Sequence, residues 1–378
     1  MAMAKEYDYL LVGAGLFNAV FAHLAKLHGK RCLIVEKRSH VGGNLYCENV
    51  EGICVHQYGP HIFHTDNKKV WDFVNSFVDF NRFTLCTLAY NNGKLYNMPF
   101  NMNTFYQLWG VTNPIEAERV LESQRTKVRN PANLEEQAMS LVGRDVFKIL
   151  IKDYTEKQWG RSCKELPASI IQRLPVRLTF DNNYFNDRFQ GIPEGGYNIL
   201  INKLLEDVEY IMDCDYLDNR YELNDKARRI IYSGPIDAFY DYTYGHLEYR
   251  SLRFEHEFIH SSNWQGNAII NYPTHEFAYT RIVEHKHFDV NNKEAFHAPY
   301  TVITREYPLA FDTKGRTEPY YPVNDQVNKQ LHARYLELSK QECHVLFGGR
   351  LAEYRYYDMD DTIESAMNMF EQETFVSA

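Results

Sequence analysis

The period of the apolar positions changes several times along the 378 residues, and each change marks a different kind of element. Leu10-Leu11-Val12 is a short apolar run that ends on Gly13-Ala14-Gly15 and passes into a segment of helical period. A second apolar run, Cys32 to Val35, follows and ends on the acid Glu36, 21 residues beyond Gly15. Strand, glycine turn, helix and a second strand closed by an acid form the layout of a Rossmann βαβ unit. Residues 85–100 carry Asn92-Gly93 between two apolar-rich strands, which predicts a hairpin. Over 102–170 the period becomes helical. Asn113 before Pro114 predicts an N-cap with proline at the first helical position. Asn133 with Glu136 predicts a capping box, after which Leu134, Ala138, Leu141 and Val142 share one face.

Between 245 and 310 the period falls to two. Leu252, Phe254, His256 and Phe258 alternate with Arg253, Glu255 and Glu257, and Asn267–Tyr272, Tyr279–His287 and Tyr300–Tyr307 read as further strands. Strands without long helices between them predict an antiparallel sheet. At the far end Val345-Leu346-Phe347, the pair Gly348-Gly349 and an amphipathic helix through Ile363, Met367 and Phe370 return to α/β character. The expected fold is α/β: a discontinuous Rossmann-like FAD-binding domain (1–84, 190–240 and 318–378), a helical substrate domain with a mobile loop (101–189) and an antiparallel β-sheet domain (85–100 and 241–317).

The turn chemistry sharpens the picture. Gly13 makes the tight turn, Gly15 lets the backbone approach a pyrophosphate, and the helix N-terminus offers free N–H groups to it. Glu36 is positioned to accept ribose hydroxyls. The Val41-Gly42-Gly43-Asn44 turn that follows favours FAD over NAD. Asn18 stands where the third glycine of the motif belongs, so a slight displacement of the helix is expected.

Composition narrows the partners. A net charge of −9 without a long basic block argues against nucleic acid, so local arginines must account for any phosphate binding. The seven cysteines are odd in number and scattered, with no CxxC and no zinc spacing, as for reduced thiols in a cytoplasmic protein; no metal is expected. No signal peptide precedes the first strand and no apolar run is long enough to insert in a membrane. Twenty-eight Tyr and 23 Phe are many, and tyrosine suits stacking on bases and sugars.

Dense motifs accumulate in the order GPHIFHT (59–65), YTEKQWGR (154–161), RLPVRLTFDNNYF (173–185), YTRIVEHKHF (279–288), EPYYPVND (318–325) and GGRLAEYRYYDMD (348–360). With the glycine fingerprint they resemble the bacterial UDP-galactopyranose mutase family over essentially the whole chain. That resemblance implies a flavoprotein, dimeric, that interconverts UDP-galactopyranose and UDP-galactofuranose for a cell-surface polysaccharide. In the family's mechanism N5 of reduced FAD attacks the anomeric carbon, UDP leaves and returns, and no net redox change occurs.

By the same resemblance the catalytic residues are Arg173, Arg281 and His61. Arg173 and Arg281 stabilise the diphosphate, and His61 lies by the flavin ring. FAD is held by Gly13, Gly15, Phe17, Glu36, Lys37, Gly43, Asn44, His61, Ile62, Arg350, Tyr357, Asp358, Met359 and Thr362. Substrate is held by Leu150, Tyr154, Thr155, Trp159, Arg173, Tyr184, Arg250, Asn271, Arg281, Tyr321 and Tyr356, with Trp159 stacked on uracil. Arg173 sits in a segment rich in Pro and Asn that is expected to close over UDP. The competing reading is a flavin-dependent amine oxidase, which shares the βαβ unit but needs an apolar substrate cage instead of arginines; a nucleotide-sugar-binding regulator without activity is a third.

Overall fold

A computed structural model describes residues 5–171, 175–313 and 317–376. Its first sheet has five parallel strands drawn from three parts of the chain. In spatial order they are Val345–Phe347, Ala227–Tyr232, Tyr7–Val12, Cys32–Val35 and Glu209–Ile211. A parallel strand covered on both faces has no side to give to water, so it reads as a continuous apolar run. Leu10 and Leu11 point to opposite faces and both are fully buried. Helices Leu16–Leu27 and Met359–Val376 pack together on one face, where Phe21 meets Tyr9 and Phe370 edge-on at 5.1 and 5.4 Å. Tyr216, Tyr232 and Phe239 close the other face.

The second sheet has seven strands, in the order Tyr321–Pro322, Tyr249–Ile259, Thr301–Ala310, Arg281–Glu284, Ile269–Asn271, Thr87–Asn91 and Lys94–Met98. All neighbours are antiparallel except Ile269–Asn271 beside Thr87–Asn91. The expected hairpin forms with positive φ at Asn92 (48°) and Gly93 (77°), the conformation a two-residue turn needs to match strand twist. The strand expected over 279–287 is shorter, because His285–Phe288 coils into a 3-10 turn.

The helical segment packs around a separate apolar core that includes Phe105, Leu121, Leu134, Ala138 and Val146 and takes in Ala89, Tyr96 and Met98 of the hairpin. Both expected N-caps form, but the box at Asn133 is not closed: the Glu136 carboxylate accepts from the Ala132 amide at 2.8 Å instead of the Asn133 amide. Asn113 Oδ1 accepts from the Glu116 amide at 3.0 Å, and Asn133 Oδ1 does the same for Glu136. Helix Leu134–Val146 bends at Gly143 (φ +74°), where a Cβ would lie 2.8 Å from Gln124 Cβ and push the two helices apart. Among the described residues no helix is long and apolar enough to cross a membrane.

Candidate active site

The carboxyl ends of the parallel strands face the second sheet across a cavity of about 700 Å³. Ligands of open α/β sheets bind at this end, where loops leave the strands. The glycine turn is formed as its residue types require. Gly13 has φ +97°, its amide donates to Val35 O at 2.8 Å, and a Cβ there would sit 2.8 Å from Ser233 Oγ. A Cβ on Gly15 would meet nothing within 4 Å, so the start of helix Leu16–Leu27 opens onto free space. Gly43 brings the neighbouring turn so close that a Cβ would lie 3.1 Å from Gly15 Cα. These are the features of a pyrophosphate cradle, and the residues present fit a dinucleotide. Glu36 is buried, with one oxygen accepting from the Ala14 amide at 2.7 Å and the other from the Arg38 amide at 2.9 Å.

Asn18 sits in the first turn of helix Leu16–Leu27. It is fully buried and its Nδ2 donates to Val12 O and Gly13 O, both at 2.8 Å, and reaches Ser233 Oγ at 3.2 Å. Where a third glycine would allow close packing, a hydrogen-bonded tie holds the helix to the turn.

The remaining expected dinucleotide residues line the same cavity: Phe17, Lys37, Asn44, His61, Ile62, Arg350, Tyr357, Asp358, Met359 and Thr362. Gly349 (φ +84°) lets the chain pass Phe17, since its Cβ would stand 3.2 Å from the ring. Lys37 pairs with Glu318 at 2.8 Å at the cavity edge.

His61 is held from two sides. Its Nδ1 lies 2.9 Å from Gly59 O and its amide is 3.2 Å from His56 Nδ1. A carbonyl only accepts, so Nδ1 carries the proton and Nε2 keeps a free lone pair. Burial lowers the His61 pKa to about 4 against the bond to Gly59, and the Arg350 and Arg281 cations add to the effect, so the ring is neutral at pH 7. The fold also gathers Cys47, Cys54 and His56 within 4.8 Å. With His56 Nδ1 accepting from the His61 amide, its Nε2 bears the proton, and the imidazole has no lone pair left for an ion.

The opposite wall is built around Arg281. Its Nε lies 2.5 Å from Glu306 Oε2, directly across the strand pair, and Glu306 is fully buried. Burial alone would lower the Arg281 pKa, but the Glu306 carboxylate raises it well above the ordinary value. Tyr154, Tyr184 and Tyr321 all feel the Arg281 charge, and Tyr356 stacks on Tyr321 at 5.7 Å. Burial pushes the Tyr154 phenol to about 12, which keeps it a hydrogen-bond donor. Asn271 stands opposite Arg281 in register, with a buried Oδ1 that has no partner. Arg281, Asn271 and the four tyrosines line the cavity with the dinucleotide cradle, and Glu306 stands behind them.

Four expected substrate residues lie outside that lining. Leu150 and Thr155 are buried, and Leu150 belongs to the core of the helical segment, against which the half-buried Trp159 packs. The Nε of Arg250 donates to Gln158 O at 2.9 Å, and its guanidinium rests over Gly160. These four cluster on or against helix Lys152–Trp159, which carries Tyr154 into the cavity. Arg173 lies outside the described residues. His64 also lines the cavity, bonded through Nδ1 to Asp187 at 2.9 Å. The sequence reading missed Glu306. Its signal was an acid at an inward position of an alternating strand, in phase with the buried Thr304 and Val302.

Comparison with known proteins decides the family. A family model described as UDP-galactopyranose mutase matches residues 149–356, and one described as an NAD(P)-binding Rossmann-like domain matches residues 11–77. A probable UDP-galactopyranose mutase of Klebsiella pneumoniae is 38% identical over 367 residues, 95% of this chain and 93% of that protein. The chain belongs to the UDP-galactopyranose mutase family. A dTDP-fucopyranose mutase of Escherichia coli is 37% identical over 95% of this chain and 96% of its own length. A crystal structure of reduced UDP-galactopyranose mutase, only 15% identical, superposes with a TM-score of 0.75 over 98% of this chain and 94% of that one, which extends the likeness to the fold. Within the family fold, the Rossmann-like match covers the glycine cradle, and the mutase match spans helix Lys152–Trp159, Arg281 and Arg350.

Proposed function

We propose that this chain is an isomerase that interconverts UDP-galactopyranose and UDP-galactofuranose with reduced FAD as cofactor and no net redox change. The observation that carries this reading is the Arg281–Glu306 pair facing a dinucleotide cradle across one cavity. A fixed guanidinium ringed by tyrosine hydroxyls suits a diphosphate leaving group and does not suit the apolar cage an amine oxidase needs. When bound, reduced FAD supplies the nucleophile that the protein lacks. Gly13, Gly15, Glu36 and the turn at Gly43 would hold its pyrophosphate and ribose, with Arg350 and the Met359–Val376 helix on the far side.

The protein's own residues have defined tasks. Arg281 neutralises charge that develops on the departing diphosphate, and Glu306 keeps its guanidinium in one orientation. Tyr154, Tyr184, Tyr321 and Tyr356 donate to phosphate oxygens. Asn271 Oδ1, without a protein partner, accepts from a sugar hydroxyl. His61 presents a neutral Nε2 that can take a proton and return it as the sugar ring opens and recloses. Trp159 and Arg250 position the base end beyond the cavity.

The test is incubation of purified protein with UDP-galactofuranose, with and without dithionite, followed by chromatography of the sugar nucleotides. Conversion to UDP-galactopyranose only after reduction supports the proposal; no conversion by the reduced, FAD-loaded protein sinks it. The dTDP-fucopyranose mutase at 37% identity favours a second reading, the same chemistry on a 6-deoxysugar carried by thymidine diphosphate. A parallel assay with dTDP-fucofuranose decides between them by the ratio of kcat/KM.

A further inference from the structure

Lys157 projects from helix Lys152–Trp159 into a ring of main-chain carbonyls. Its Nζ lies 2.5 Å from Tyr272 O, 2.8 Å from Thr274 O, and 3.0 Å from both Phe277 O and Tyr279 O. Three N–H groups thus share four acceptors, and the carbonyl dipoles surround the charge as they would a bound alkali cation. Burial lowers the pKa of this lysine to about 8, which leaves it a cation at neutral pH.

The ring has a definite place in the cleft. It is the turn that joins Asn271, at the end of one strand, to Arg281, at the start of the next. The turn is closed at its base by the Tyr272 amide donating to Thr280 O at 2.8 Å, and the Thr280 amide donates to Glu306 O at 2.8 Å. Lys157 lies one helical turn beyond Tyr154 and two residues before Trp159. One ammonium therefore fastens the helix bearing Tyr154 and Trp159 to the turn that sets Asn271 and Arg281.

We infer that Lys157 is a positioning residue for the sugar nucleotide: its ammonium, held by the carbonyls of 272–279, sets the distance between the helix that takes the nucleotide and the strand that supplies Arg281. The ammonium touches neither substrate nor cofactor. Its kinetic readout rests on the function proposed above.

The test uses FAD-loaded enzyme. Lys157→Met keeps the apolar stem and removes the charge, whereas Lys157→Ala vacates the ring. In both, kcat/KM for the sugar nucleotide is expected to fall roughly a hundredfold, the scale of an ångström of misplacement, through KM as well as kcat. FAD content and the flavin spectrum should match the wild type. In Lys157→Ala, ammonium or propylammonium should restore about tenfold of the loss, while tetramethylammonium at equal ionic strength, which has no N–H to donate, should not.

Wild-type kcat/KM in both variants, or a loss in Lys157→Ala that neither amine reverses, overturns the inference. Hydrogen exchange over residues 272–280 gives a reading independent of turnover, and independent of whether the alanine variant folds. Lost protection in Lys157→Met supports the tie, and wild-type protection overturns it. If the wild-type enzyme turns over neither sugar nucleotide, it is the proposed function that fails, and the exchange measurement still decides the role of Lys157.

Discussion

The two walls of the cleft meet a ligand in different ways. On the Rossmann side the pyrophosphate cradle is backbone, with glycines at Gly13, Gly15 and Gly43 and the open ends of two helices, and side chains such as Glu36 and Arg350 stand around it. On the other side the contact surface is side chain: Arg281 with its buried counter-charge, four tyrosines and Asn271. Backbone recognition depends on shape, because N–H groups point correctly only if no Cβ intrudes. Side-chain recognition depends on charge and orientation, and these must be secured from behind. Glu306 and Lys157 do this without contributing to the cavity surface themselves. Steric substitutions should therefore disable the first wall and charge deletions the second, with separable readouts.

The largest effect is expected on the charged wall. Arg281→Ala should lower kcat by about a hundred- to a thousandfold, the loss seen when a preorganised electrostatic donor is removed, with FAD still bound. Glu306→Ala should lower turnover nearly as much, and it should also destabilise the fold by roughly 3 kcal/mol because Arg281 is left without its partner. Turnover measured beside FAD absorbance checks both. Loss of FAD from Arg281→Ala would mean that the two walls are not separable.

Next comes the backbone wall. Gly13→Ala places a Cβ 2.8 Å from Ser233 Oγ at a φ of +97°, which costs about 1–3 kcal/mol in backbone strain alone. The expected outcome is weak FAD retention after gel filtration, with turnover partly recovered by excess FAD. A variant that keeps FAD but cannot turn over would contradict the assignment of this turn to the cofactor.

A smaller effect is expected at Trp159→Ala. Base–aromatic stacking is worth about 1–3 kcal/mol, so UDP affinity by titration should fall by about one order of magnitude. Unchanged affinity would show that Trp159 serves only the core of the helical segment, on which it packs.

The same contrast explains what the sequence made legible. The cofactor wall is local in the chain: glycine turn, acid and second turn fall within 36 consecutive residues, and each has a steric reason that composition and spacing expose. The strands of the second sheet were legible from their alternation, and the caps at Asn113 and Asn133 from their side chains. Arg281 was found only through resemblance, since nothing near it in sequence marks it as facing a cavity. Glu306 went unseen because its partner lies 25 residues away on another strand. The role of Lys157 leaves no local signal in the sequence, because its four carbonyls belong to a turn more than 100 residues on. Side-chain charge matched across strands leaves no local period, whereas a turn does.

Asn18 sharpens the comparison, because there a side chain does a task usually left to a glycine. Its amide replaces close packing by two 2.8 Å bonds to the carbonyls of Val12 and Gly13. Asn18→Gly would restore the usual residue type and lose both bonds, and it would also place glycine in the first turn of a helix. The expected cost is about 1–2 kcal/mol of stability, read as a lower thermal midpoint at fixed FAD concentration. FAD itself should stay bound, since the Gly13 and Gly15 backbone is unaltered. If Asn18→Gly released FAD as Gly13→Ala is expected to, the amide would be part of the recognition surface, and the backbone wall would depend on a side chain after all.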